Sequence, residues 1–194
     1  MEAKDLRDQI PYYLTAAAAE GLLQELEKYK PHTNIYASAQ NEDLLQGDAW
    51  SKLTIFDFES STVRKIKGIV VSNSCDISKD NAREIPPRLS FAPIVKLSKI
   101  QSLYEQSGKD AQAVQSKINA IREQRNTSMF YLPAGISLDE DYVALLSEIS
   151  SFPLSMFLEE EGRSRFVTLN MVGFYLFLFK LSIHFCRFHE NVER

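Results

Sequence analysis

The sequence predicts an α+β domain: a small, tightly curled β-barrel with a helical insertion and terminal helices. Three observations predict it. Short apolar segments bounded by turn or polar residues recur between residues 47 and 97: Gly47-Asp48-Ala49-Trp50, Lys67 to Asp76, and Arg88 to Val95. A helical period then runs from about 98 to 126, between strand-like segments. A long apolar run follows Asn170. The expected organisation is an N-terminal helical arm and linker over 1–45, then a barrel domain over 46–194. The barrel domain holds the insertion at about 98–126 and a C-terminal helix at about 170–188.

The chain has 194 residues, enough for one domain with a real core. Its net charge of −4 gives no global pull toward nucleic acid, although a local basic patch is compatible with that total. Two cysteines, Cys75 and Cys186, make no disulfide framework and fit a reducing, cytoplasmic setting. The charged N-terminus lacks the apolar centre of a signal peptide. Met171 to Phe179 is about half of the roughly 20 residues that a membrane span needs, so it reads as a buried helix and no membrane partner is expected.

Each element follows from local pattern. Thr15 caps a helix carrying Leu22, Leu23 and Leu26, which Pro31 ends. Residues 32–46 are polar and irregular. Leu53, Ile55, Phe56 and Phe58 give a strand, and Glu59-Ser60-Ser61 a turn. Val63 to Val71 is a second strand that enters through Arg64, Lys65 and Lys67 and becomes fully apolar at Ile69-Val70-Val71. Leu89 to Leu97 is a third, with Pro93 placing it at an edge or a bulge. Ala111, Val114, Ile118 and Ile121 share one helical face. Met129–Leu132, Tyr142–Ile149 and Phe166–Leu169 read as further strands.

The polar loop Ser72-Asn73-Ser74-Cys75-Asp76 follows a buried strand, where function often sits on a rigid scaffold. Cys75 is a nucleophile there if a basic group lowers its pKa, or a small packed side chain beside Asx turns. His32, His184 and His189 all lie far off in sequence. Arg64, Lys65, Lys67, Arg83 and Arg88 flank the central strands. They either converge on a phosphate backbone or form a solvated rim, with Trp50, Phe56 and Phe91 as stacking surfaces or core. No metal-ligand spacing and no phosphate-binding glycine loop is present, so neither metal nor cofactor is expected. The aromatic stripe of the last helix, Phe174, Phe177, Leu178, Leu181 and Phe185, serves either the core or a homodimer interface.

Gly47-Asp48-Ala49-Trp50, the strand ending Val70-Val71-Ser72-Asn73, and Ala92-Pro93-Ile94 together resemble the MazF/PemK-like toxin barrel over residues 46–98. The resemblance implies an SH3-like barrel, usually dimeric, of bacterial or phage type. It implies a metal-independent endoribonuclease or single-stranded RNA binder of a toxin or defence system, with an antitoxin-like protein as partner. The implied catalytic set is Arg64, Ser72, Cys75 and Asp76, with Asn73, Lys67 and Arg88 binding substrate. Arg64 would stabilise the phosphorane charge while the RNA 2′-hydroxyl attacks. The chain departs from the pattern at Val95, where the ribonucleases carry Thr or Ser; Ser98 lies three residues later. The alternative is a non-catalytic barrel that serves as a protein-interaction module. A third reading makes Cys75 the nucleophile of a hydrolase or a redox-sensitive thiol.

Overall fold

The computed structural model describes residues 34–38, 43–81 and 84–185. The expected N-terminal helix, Arg83, His32, Cys186 and His189 lie outside them. Strands are β1 (Ala49–Asp57), β2 (Thr62–Val70), β3 (Arg88–Lys96), β4 (Met129–Leu132), β5 (Tyr142–Leu145), β6 (Ser150–Pro153) and β7 (Arg165–Val167). Helices are α1 (Ser74–Ile77), α2 (Leu97–Gln106), α3 (Ala111–Arg122), α4 (Leu154–Leu158) and α5 (Met171–Phe185).

Among the described residues the seven strands form one open sheet in the order β4-β5-β3-β2-β1-β7, with β6 also pairing β3. β4 and β7 stand at opposite ends and do not pair, so the sheet does not close. This overturns the expected SH3-like barrel. Alternation and turns mark strands, but closure depends on which distant edges meet, and that pairing is non-local. The expected single helical insertion is a pair, α2 and α3, separated at Gly108. Asp110 caps α3 by accepting the Ala113 N–H at 2.8 Å.

Alternation along β3, β4 and β5 sorts the core. Ile94, Phe130, Leu132 and Ala144 face α5, where Leu176, Phe177 and Leu181 meet them. Val95, Tyr131 and Val143 face α2 and α3, where Ile100, Val114, Ile118 and Ile121 meet them. The sheet is thus covered by helices on both faces at this end. At the other end Leu53, Val70, Leu89 and Phe91 pack with Phe152 and with Leu154 and Phe157 of α4.

Of the edge or bulge expected at Pro93, the edge is excluded: β3 is a central strand, and Pro93 explains how it tolerates that place. β2 and β3 pair only at Gly68↔Pro93, Ile69↔Ala92 and Val70↔Phe91. Proline has no N–H to donate, so the ladder stops there. Beyond it β3 turns to pair β5 through Ile94, Val95 and Lys96. β2 continues away with β1. A β-bulge sets Ser51 and Lys52 opposite Lys67, with Lys52 at φ 62°, which bends β1 at the same level. The outer part of the hairpin, Leu53–Asp57 paired with Thr62–Ile66, therefore leaves the sheet as a two-stranded arm.

Candidate functional site

The loop of the expected catalytic set is a structural corner. Ser72 Oγ accepts the Ser90 N–H at 2.7 Å and donates to the Arg88 carbonyl at 3.3 Å, fastening the end of β2 to β3. Asn73 caps α1, its Oδ1 accepting the Cys75 N–H at 2.9 Å. Ser74 Oγ accepts the Gln46 N–H at 2.9 Å. Cys75 and Asp76 are exposed on this single turn. Arg88 crosses to β6, donating from Nε to Ser151 Oγ at 3.0 Å and from Nη2 to the Ser151 carbonyl at 2.8 Å.

Arg64 lies elsewhere. It sits out on the arm, where its Nη1 is 2.8 Å from Asp57 Oδ2. The six steps of extended chain from Arg64 to Val70 span about 20 Å, and the Ser72–Asp76 corner lies past Val70. Lys67 stands at the root of the arm, its ammonium 4.6 Å from the Phe166 ring centre and 5.4 Å from that of Tyr142. The structure thus brings Ser72, Asn73, Cys75, Asp76 and the Arg88 backbone together, but not Arg64 or Lys67. Val95 is half-buried and pairs with Val143. Among the described residues no group of three His, Cys, Asp or Glu is placed to hold a metal ion, and no helix is long and apolar enough to cross a membrane.

The arm itself carries what the sequence reading missed. In β1, Phe56 pairs with Val63 across the hairpin, and Phe58 folds against Phe56 with ring centres 5.0 Å apart. Phe56, Val63 and Phe58 are 50%, 64% and 85% exposed. Below them Asp57 builds the turn. Its Oδ1 accepts the N–H groups of Glu59 and Ser60, both at 3.1 Å. The Arg64 guanidinium first, then these N–H groups, hold the Asp57 carboxyl below its usual pKa. Lys65 pairs with Glu160 and donates to Thr54 Oγ1 at 3.0 Å. A sequence signal for this tip existed: Phe56 and Phe58 sit two apart beside a polar turn, so alternation puts both on one face, and Val63 lies opposite.

Of the two readings for Trp50 and Phe91, stacking surface or core, the structure favours the core. Phe91 is fully buried, and Trp50 makes an edge-on contact with Phe157 at 5.5 Å. Asp48, beside Trp50, is fully buried too. Its Oδ2 accepts from Arg165 Nη1 at 3.2 Å and from the Leu45 N–H at 3.0 Å. The Gly-Asp-x-Trp segment is therefore an internal clamp between β1 and β7.

A scan against protein-family models finds no match to this chain, and a search of curated proteins finds no relative. The MazF/PemK resemblance thus has neither a matching family nor a closed barrel behind it. The SH3-like fold, the endoribonuclease activity and the toxin–antitoxin setting drawn from it are withdrawn. Its three segments are short, and here each is spent on backbone geometry: a turn with a buried carboxylate, a strand-to-helix corner, and a ladder stopped by proline.

Proposed function

We propose that this chain is a protein-binding module whose β1–β2 arm engages the partner. The observation that carries the reading is the exposed apolar tip, Phe56, Phe58 and Val63, on a ribbon that has left the sheet. Two phenyl rings and a valine left half or more in water contribute little to the fold. Removing them from water would favour association by about 25 cal/mol per Å² of apolar surface covered. Aromatic side chains are also the residues that dominate protein interfaces. The arm is anchored, since Leu53, Ile55 and Ile66 pack into the core cluster at its root. The tip is therefore presented in a fixed place, which limits the ordering cost of binding.

The test places a photo-crosslinking residue at Phe58 in one version of the chain and at exposed Leu103 of α2 in another. A discrete adduct at position 58 only, rebuilt afterwards from the two purified proteins and lost in Phe56→Ser, supports the reading. Identical adduct patterns at both positions would count against it.

A further inference from the structure

The exposed tip is not the arm's only unsatisfied feature. Among the described residues no strand other than β1 pairs with β2 before Gly68, so the outer edge of Thr62–Lys67 carries backbone donors and acceptors without a ladder. The cause is specific: Pro93 ends the β2–β3 ladder, and β3 goes on to β5. Thr62, Val63, Arg64, Lys65 and Lys67 along this edge are all exposed.

Charge marks the same place. Residues 52–67 hold Lys52, Arg64, Lys65 and Lys67 against Asp57 and Glu59, a net of +2 in a chain of net −4. Arg64 and Lys65 have carboxylate neighbours, yet their side chains stay 59% and 37% exposed. A second copy of this chain is a poor occupant, because edge-to-edge pairing would set Arg64, Lys65 and Lys67 against their own copies. An extended segment alternating acidic and β-branched residues fits. Its backbone would continue the ladder; on the face of Lys65 and Lys67 its carboxylates would meet both ammonium groups, and on the opposite face its apolar side chains would lie beside Thr62 and Ile66.

We infer that the outer edge of β2 at Thr62–Lys67 receives an acidic, extended segment of the partner protein as an added strand. This rests on the protein-binding reading above and names the partner's chemistry.

The probe is a fluorescein-labelled ten-residue peptide alternating valine or threonine with glutamate. Its controls are the same peptide with lysine for glutamate, and the glutamate peptide N-methylated at every residue. The second control keeps the charge but cannot extend a ladder. Anisotropy with the purified full chain should show the glutamate peptide binding at least tenfold tighter than either control. The amides of Thr62–Lys67 that point away from β1 should exchange at least tenfold more slowly in its presence. Arg64→Glu combined with Lys65→Glu should weaken binding at least tenfold while circular dichroism stays unchanged. Equal binding of the N-methylated peptide would reduce the effect to charge attraction and overturn the proposal. So would no binding at millimolar peptide, which would make the basic edge a guard against pairing. If the crosslink at position 58 forms and the peptide fails, the strand proposal alone falls; if neither forms, the protein-binding reading falls with it.

Discussion

Lys180 takes an ammonium group into the core of α5, where it is nearly inaccessible and donates to the carbonyls of Gln124, at 2.8 Å, and Asn126. Burial lowers its pKa from 10.5 to about 8. Between those values the unfolded chain holds a proton that the folded chain has released, so stability rises with pH. Below pH 8 both states are charged and the burial cost is constant. The difference between wild type and Lys180→Met should therefore shift in favour of wild type from pH 8 upward, approaching about 3 kcal/mol at full release. Urea melts of the two proteins at pH 7 and pH 10 measure it, and parallel curves would refute it. The comparison isolates Lys180 because Tyr131, which acts oppositely, is common to both proteins. Burial and its bond to Asp141 raise its pKa above 10, which lowers stability as the unfolded phenol ionises. Gly68 is the other decisive residue. A Cβ there would lie 2.8 Å from Leu53 Cδ1 and from Phe91 Cδ2, and 2.9 Å from the Ala92 carbonyl. Gly68→Ala should cost about 1–3 kcal/mol in a thermal melt, as overpacking does.

Among the elements, the end of α3 shows how one side chain serves two structures. Arg125 N–H bonds the Ala120 carbonyl and Gln124 N–H the Ile121 carbonyl, a Schellman close with Gln124 at φ 57° where glycine is usual. Gln124 is kept for its amide. Nε2 donates to the Tyr131 carbonyl at 2.8 Å, and Oε1 accepts the Tyr131 N–H at 3.0 Å, standing in for a strand beside β4. Gln124→Gly relieves the backbone but strips both bonds, and should destabilise by about 1–2 kcal/mol in urea melts; a stabilised variant would sink this account. Asp110→Ala, which removes a cap, should cost about 1 kcal/mol by the same measurement. The strands around Val63–Val71 and Met129–Leu132 were legible because β-branched and aromatic runs between turn residues leave little choice. So was the capping habit of Asn73, an Asx residue at a turn. Strand β6 and helix α4 were not, since Ser150–Leu158 is too short for either period to show. Gln124 was illegible because a glutamine at a helix end looks like any solvated residue.

Over the whole molecule, stability and binding are housed apart. The buried clusters lie where helices cover the sheet, while Phe56, Phe58 and Val63 lie beyond it. Phe56→Ser with Phe58→Ser should shift the melting temperature little, and Phe56→Ser alone should abolish the crosslink from position 58; a large loss of stability would show that the tip belongs to the fold. The site residues expected from sequence were scattered for the same reason that the barrel failed. Arg64 sits on β2 and Ser72 just past its end, and the strand runs out of the sheet instead of curling back, so proximity in sequence became distance in space. The glutamine at the β4 edge has one more consequence, for stoichiometry. A sheet that accepts a visiting strand ordinarily offers it a new border on which the next can settle, and growth continues. Here Gln124 already holds the β4 border at Tyr131, and a visitor on the arm would carry glutamates that repel a second like strand laid beside it. Recruitment should end after a single guest, giving one-to-one complexes and no fibres.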